Sequence, residues 1–317
     1  MYDIAILGNA VVDGFARVED AILTKYNMTK GDTTQFDHAT FMLFNEDVMI
    51  EQFNAGGAAA NTGWTLAKLG HKVAFLGRVG DDPAGRHFYE EMIASGASME
   101  EPDASVRTFQ IFVLNTPDGE RTFAQAQTTA HITPDFLDVD TLRQSKRLLI
   151  EGFTLLDQMD GVRRAIQVAK AQGIEVILSL AAPFFIERAA MNFVDVVGSG
   201  VDLIIGNKKE FETLQKHMPQ AAAVKMMQKA YVMTYSGEGA GCRTTTGEEH
   251  FAPCQKIDKP VDTTGAGDAF AAGYLSGVIQ KLPAETALTM GHQLASKVIM
   301  QVGGRLKNVS AEMVRAA

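Results

Sequence analysis

Cysteine is scarce in this chain, basic charge is in deficit and long apolar runs are missing, and each absence removes a class of function. The two cysteines, Cys242 and Cys254, stand too far apart for a CxxC pair and are too few for a disulfide framework. A reducing compartment is therefore expected, with both as structural thiols. Acidic side chains outnumber basic ones, giving a formal net charge of −9 and a pI near 5.3, with the two signs interspersed. No basic stripe of the kind that holds nucleic acid occurs, which leaves a small molecule as the expected partner. No stretch approaches the ~18 apolar residues of a membrane span. The opening "MYDIAILGNA" has no basic region ahead of its apolar run, so no membrane partner is expected and a cytoplasmic location is. The chain also lacks a GxxxxGK[ST] phosphate loop, and no GxGxxG follows a strand and opens a helix. That counts against a dinucleotide-dependent dehydrogenase.

What is present is a chain of 317 residues, 46% of them hydrophobic, enough for one large domain or one domain with an appendage. "DIAILGNAVVD" opens with a continuous apolar run ending at Gly8-Asn9, the pattern of a strand buried on both faces whose carboxyl end delivers polar residues. Similar runs recur at 72–80, 147–153, 174–180, 201–207 and 230–237, with amphipathic segments at 61–70, 83–96, 159–173 and 207–217 between most of them. Such alternation predicts an α/β fold whose mostly parallel central sheet is covered by helices on both faces. Two more helices are expected at 267–282 and 283–303, and His292 and Trp64, inside helical patterns, are read as packing residues. Residues 15–51 and 105–127 break the alternation. The second alternates with period two on either side of Pro117-Asp118-Gly119, a hairpin signal. Strands that cannot join the parallel sheet are expected to form a small β lid over its ligand-binding edge, leaving 1–14, 52–104 and 128–317 as the large domain.

The densest chemistry lies in "VDTTGAGDAF", residues 261–270. From Asp268 on, Phe270, Leu275, Val278, Ile279 and Leu282 keep helical spacing, so the Gly-Ala-Gly turn stands immediately before a helix. Small side chains let a ligand approach the main chain. The N–H groups of Gly265, Ala266 and Gly267, with the helix dipole, make an anion site suited to phosphate. If the anion is a transferring phosphoryl group, Asp268 is placed to take the proton of the attacking hydroxyl. An aspartate at a helix start also serves as an ordinary cap, so the turn alone leaves both readings open.

With this turn the sequence resembles the PfkB, or ribokinase-like, family of carbohydrate and nucleoside kinases. "DTTGAGDAF" matches that family's second signature, "FNAGGAAANTGWTLAKLG" (53–70) is similar to its first, and "GNKKE" (206–210) to its Asn-x-x-Glu motif, in the family's order and over essentially the whole chain. "KYNMTKGD" (25–32), "IEGFTLLD" (150–157), "LSLAAPFF" (178–185) and "GHQLASKVIMQVGG" (291–304) look most like the adenosine kinase branch. The resemblance implies a three-layer α/β/α sandwich and ATP- and Mg2+-dependent phosphoryl transfer to the 5′-hydroxyl of a nucleoside, most readily adenosine to AMP. It implies Asp268 as the base, with Gly265, Ala266 and Gly267 as the anion hole. It sets Asp13, at the end of the first strand, on the acceptor's sugar hydroxyls with Asn9, Gly56, Gly57 and Asn61 around them. A carboxylate suits vicinal hydroxyls because it can accept two hydrogen bonds. Asn207 and Glu210 match the motif that orders Mg2+ through water, and Thr234, Ser236, Gly237 and Gly241 resemble the ATP strand and loop.

Phe153 stands where that branch sets an aromatic ring against the purine, but Thr154 follows it. Phe36, Phe109 and Phe123 of the lid are alternatives for the stacking face. Family members also bind potassium near the anion hole. Here that implicates main-chain oxygens at Asp262 and Thr264, with contributions near Val298, Gln301 and Gly303. A ribokinase- or fructokinase-type sugar kinase and a non-catalytic nucleoside-binding protein stand as alternatives, and the lid suits a monomer or a homodimer.

Overall fold

The computed structural model describes residues 1–255 and 257–314. Its strands are β1 (Ile4–Leu7), β2 (Val11–Arg17), β3 (Thr33–Phe36), β4 (Gln52–Gly56), β5 (Val73–Phe75), β6 (Ser98–Met99), β7 (Phe109–Asn115), β8 (Arg121–Ala126), β9 (Arg147–Glu151), β10 (Glu175–Ser179), β11 (Leu203–Asn207), β12 (Ala230–Thr234), β13 (Gly239–Arg243) and β14 (Glu249–Pro253). Nine of them form one sheet in the order β14-β13-β12-β11-β10-β9-β1-β5-β6. Every pairing from β12 to β6 is parallel, and only those that add β13 and β14 are antiparallel.

The apolar runs are continuous because alternate residues serve opposite layers. In β1, Ile4 and Ile6 share a core with helices Ala58–Lys68, Pro83–Ser95, Ala266–Ile279 and Ala284–Val298. Ala5 and Leu7 share another with helices Met159–Ala171 and Ala190–Gly198 across the sheet. The result is the expected three layers. Helix limits follow local chemistry: Pro83 stands in the first turn of its helix, the Asp82 carboxylate accepts the Gly85 N–H at 2.8 Å, and Gly96 ends the helix at φ 95°.

The remaining five strands form a second sheet, β3-β8-β7-β2-β4. β7 and β8 make a hairpin about Pro117-Asp118-Gly119, but β2 and β3 join it in parallel, Val11 opposite Phe109 and Thr33 opposite Phe123. Phe36, Phe112 and Leu114 on one face pack against Leu23 of helix Asp20–Lys25 and Phe41 and Phe44 of helix His38–Asp47. The opposite face looks into a cavity shared with the large domain. This sheet begins at Val11 rather than residue 15 and extends through β4 to Gly56, because each segment finds its hydrogen-bonding partners in the lid and not in the parallel sheet.

Asp13 therefore stands on β2 of the lid sheet and not at the end of the first strand. The apolar run is cut at Gly8-Asn9, where the buried Glu151 carboxylate accepts the Asn9 N–H at 2.6 Å. Phe36 is enclosed in the lid core against Tyr26 and Phe44, which removes it as a stacking surface. No helix among the described residues is long and apolar enough to cross a membrane.

Candidate active site

A cavity of about 900 Å3 opens between the inner face of the lid and the ends of helices Ala58–Lys68 and Ala266–Ile279. Among the expected site residues it brings together Asp13, Gly56, Gly57, Asn61 and Asp268, with Asp262 and Thr264 at its edge. Its size suits a small organic ligand.

Helix Ala266–Ile279 begins at the cavity wall. Gly265 caps it at φ 75°, and a side chain there would collide with the Gly304 carbonyl, so the left-handed turn requires glycine. The Ala266 N–H is engaged: it donates to the Thr263 carbonyl at 3.2 Å and closes the turn. Among the described residues the N–H groups of Gly265 and Gly267 have no acceptor, and the space where a Gly267 side chain would stand is open. The expected set of three free donors is thus two, backed by the positive end of the helix.

Asp268, half-buried in the first turn, accepts the Asn61 Nδ2 proton at 2.9 Å. The Thr62 hydroxyl donates to the Asp268 carbonyl at 3.2 Å and ties the two helices at this level. Burial pushes the Asp268 carboxyl up to about 7; the Asn61 bond and the Arg305 charge oppose the rise, and the negative charge of Glu151 adds to it. A carboxyl poised near neutrality is suited to general-base work. Asn61 Oδ1 in turn accepts from Arg305 Nε at 2.9 Å, and Arg305 Nη1 donates to Glu91 at 2.7 Å. Burial lowers Arg305 to about 10, which leaves it charged at neutral pH.

Asp13 projects across the cavity from β2. Burial raises its carboxyl to about 6 against the pull of Arg305. A side chain at Gly56 would come within 2.6 Å of Asp13 Oδ2, and one at Gly57, at φ 93°, would strike the Asn9 carbonyl. Both glycines therefore let the β4–helix junction close on the acidic wall. Beneath it, the Glu151 carboxylate accepts the N–H groups of Asn9 at 2.6 Å and Ala59 at 3.2 Å, joining the loop after β1 and the first turn of helix Ala58–Lys68, 142 and 92 residues away in sequence. Burial holds Glu151 up at about 7 despite these bonds. Gln158 Nε2 donates to Asn9 Oδ1 at 2.6 Å, so the Asn9 side chain is committed to the frame rather than free in the cavity.

The lid's inner face carries two rungs of cavity-lining side chains. Asn54, Asp13, Ile111 and Gln125 stand opposite one another on four adjacent strands. Two residues along, Gln52, Phe15, Val113, Phe123 and Thr33 form the second rung. A rung centred on a carboxylate thus adjoins one whose middle, Phe15, Val113 and Phe123, is apolar, about 7 Å away by strand geometry. Phe123 lines the cavity as expected; Phe109 and Phe153 do not. Phe153, in the 3-10 turn Gly152–Leu155, is instead packed edge-on against Phe185 at 4.6 Å.

Asn207 and Glu210 sit at the start of helix Lys208–Lys216 as a reciprocal capping box. Glu210 accepts from Asn207 N at 2.8 Å and Nδ2 at 2.6 Å, and the Glu210 N–H donates to Asn207 Oδ1 at 3.0 Å. Burial raises the Glu210 carboxyl to about 7, and the negative charge of Asp268 contributes. The Glu210 carboxylate and the Asn207 amide oxygen, held together by these bonds, are oxygen donors of the kind that suits a hard divalent cation. Asn207 pairs with Thr234 across β11 and β12, which sets the Ser236–Glu238 turn, with Gly237 in it, and Gly241 on β13 along the same end of the sheet. Asp262 accepts from Thr264 N at 3.0 Å, Thr264 Oγ1 at 2.7 Å and Gly303 N at 3.0 Å. The loop named for a monovalent cation therefore lies beside the segment after Val298.

Sequence reasoning missed Arg305, Glu151, Glu91 and Phe15, and read Trp64 only as a packing residue although it lines the cavity beneath the Arg305 guanidinium. The alternation of Asp13 with Phe15 was the one available signal for the second aromatic. His292 does pack, its ring edge-on to Phe270.

Comparison with known proteins agrees with this architecture. The model of the pfkB family carbohydrate kinases matches residues 43–311. A 5-dehydro-2-deoxygluconokinase of Lacticaseibacillus casei is 29% identical, covering 95% of this chain and 90% of its own. An adenosine kinase of Saccharomyces cerevisiae is 27% identical, covering 95% of both chains. The crystal structure of adenosine kinase from Sinorhizobium meliloti superposes with a TM-score of 0.80 at 29% identity, over 97% of this chain and 96% of that one.

Proposed function

Because the chain belongs to the pfkB family of carbohydrate kinases, we propose that it transfers the γ-phosphoryl group of ATP to the 5′-hydroxyl of a nucleoside, with adenosine the expected acceptor and AMP and ADP the products. The observation that carries the nucleoside reading is the pair of rungs on the lid. Asp13 and Asn54 suit the ribose hydroxyls, and Phe15, Val113 and Phe123 offer an apolar surface to a planar base one rung away.

In this reading Asp268 accepts the proton of the acceptor hydroxyl as its oxygen attacks the γ-phosphorus in line and ADP leaves. The N–H groups of Gly265 and Gly267 and the helix N-terminus bind the charge that develops on the transferring group. Asn61 keeps part of the Asp268 population ionised at neutral pH by donating to it. Mg2+, held through water by Asn207 and Glu210, would neutralise phosphate charge. Lid closure excludes water and so limits hydrolysis of ATP.

A second reading is an acidic sugar as acceptor. Arg305, Arg121, Lys68 and Lys307 all line the cavity, and one relative is a kinase of 5-dehydro-2-deoxygluconate. The deciding experiment is ADP release with Mg-ATP and, side by side, adenosine, inosine, ribose, fructose and 5-dehydro-2-deoxygluconate. Turnover with adenosine supports the proposal. Turnover with the sugar acid alone replaces the acceptor, and no turnover with any of them removes the catalytic reading.

A further inference from the structure

An asparagine amide is nearly symmetrical in shape but not in charge, because Oδ1 only accepts and Nδ2 only donates. Rotating Asn61 by half a turn would replace the donor facing Asp268 with an acceptor, which repels the ionised carboxylate and favours the protonated acid. What fixes the amide is its other partner. Arg305 has donors and no acceptor, so its Nε, 2.9 Å from Asn61 Oδ1, is satisfied in one orientation only. The guanidinium is itself anchored. Nη1 donates to Glu91 at 2.7 Å, the group lies 5.8 Å from the ring centroids of Trp64 and of Phe88, and its side chain is 11% exposed. Its backbone position is set by the neighbouring Gly304, where a side chain would come within 2.9 Å of Asn61 Nδ2.

We propose that Arg305 is a positioning residue: by occupying Asn61 Oδ1 it locks the amide with Nδ2 towards Asp268. The consequence for turnover rests on the phosphoryl-transfer reading above, whereas the effect on Asp268 does not. The charged groups that bear on Asp268 come from three other elements: Glu151 from the end of β9, Glu210 from helix Lys208–Lys216, and Arg305 from the segment after Val298. The first two disfavour ionisation. Arg305 opposes them directly by its charge and, through Asn61, by a hydrogen bond to the ionised form.

The test is carboxyl-carbon NMR of the ligand-free, aspartate-labelled protein, with the Asp268 signal identified by its loss in Asp268→Asn. In Arg305→Met the Asp268 midpoint is expected to rise by about one pH unit. Arg305→Lys keeps a positive charge but not the fork that reaches Asn61 and Glu91 together, so a comparable rise is expected, and this variant carries the test alone if Arg305→Met does not fold. Unmoved Asp268 midpoints overturn the proposal. A midpoint raised in Arg305→Met but unchanged in Arg305→Lys also overturns it, because charge alone then accounts for the effect.

In turnover, a one-unit rise from about 7 in the free protein predicts that kcat/KM of Arg305→Met falls about tenfold at pH 6.5 and recovers by pH 9. A deficit that persists at pH 9 is general damage and counts against a positioning role. The kinase reading fails separately, by the absence of ADP release from the unsubstituted protein with every acceptor tried while the NMR shift in the Arg305 variants is still observed.

Discussion

Replacing Asp268 with asparagine changes one oxygen for a nitrogen and should have two opposite effects. As the proposed base, Asp268 sits at the cavity wall with Asn61 donating to it at 2.9 Å. Its loss removes the proton acceptor while Asp13 and both free N–H groups of the turn persist, so kcat should fall by about 10^2 to 10^4 with the acceptor KM changed only a few-fold. Stability should move the other way. The carboxyl is raised from 3.8 to about 7, and one unit is about 1.4 kcal/mol, so holding it ionised costs the fold roughly 4 kcal/mol at most. The sign follows from proton binding. Between pH 4 and pH 7 the folded state binds a proton that the unfolded state has released, so stability declines as pH rises through that window and the cost is complete above pH 7. The variant escapes that cost and should melt several degrees above the parent at pH 8, with the difference vanishing towards pH 4. Thermal melts at the two pH values, paired with ADP release, check both effects. Near-normal kcat would refute the general-base assignment, and a melting difference independent of pH would refute the ionisation argument.

Three other substitutions probe separate parts of the site. Gly265→Ala places a side chain at φ 75° against the Gly304 carbonyl; a loss of more than about 1 kcal/mol in thermal stability and at least a tenfold loss of kcat are expected. Asp13→Asn removes an ionised acceptor for two hydroxyls and should raise the acceptor KM about 10- to 100-fold, measured by initial rates, with kcat changed less. Phe123→Ala strips the apolar rung and should raise the adenosine KM roughly tenfold without affecting binding of free ribose, which isothermal calorimetry would report.

Much of this molecule could be read from local pattern. Continuous apolar runs such as "RLLIE" and "EVILS" announce doubly covered strands, and Asp82-Pro83 announces a helix start. The turn before Asp268 was legible for the same reason, since glycine, helix start and carboxylate lie within four residues. What stayed hidden depends on distant partners. Arg305 meets Asn61 across 244 positions, and Glu151 reaches back 142 positions to Asn9, with no spacing rule to connect them. Phe36 and Phe123 look alike as lid aromatics, yet the helix His38–Asp47 covers the face that holds Phe36 and leaves Phe123 on the cavity. The engagement of the Ala266 N–H by Thr263 is a backbone detail that residue identity does not encode.

The parallel pairing of β2 with β7 gives the lid an assembly order. Val11 must find Phe109, closing a loop of about 100 residues at a cost near 4 kcal/mol of chain entropy, which a local hairpin would not incur. A large part of that loop, from Ala58 to Met99, contributes two helices and two strands to the large domain. The large domain therefore has to bring the two halves of the lid together before its sheet can form, and the roof of the cavity is a late, high-contact-order element that cannot be excised as a unit. Because β8, β7 and β2 are each paired on both flanks, the sheet holds the Asp13 and Phe15 rungs in one register above the cavity.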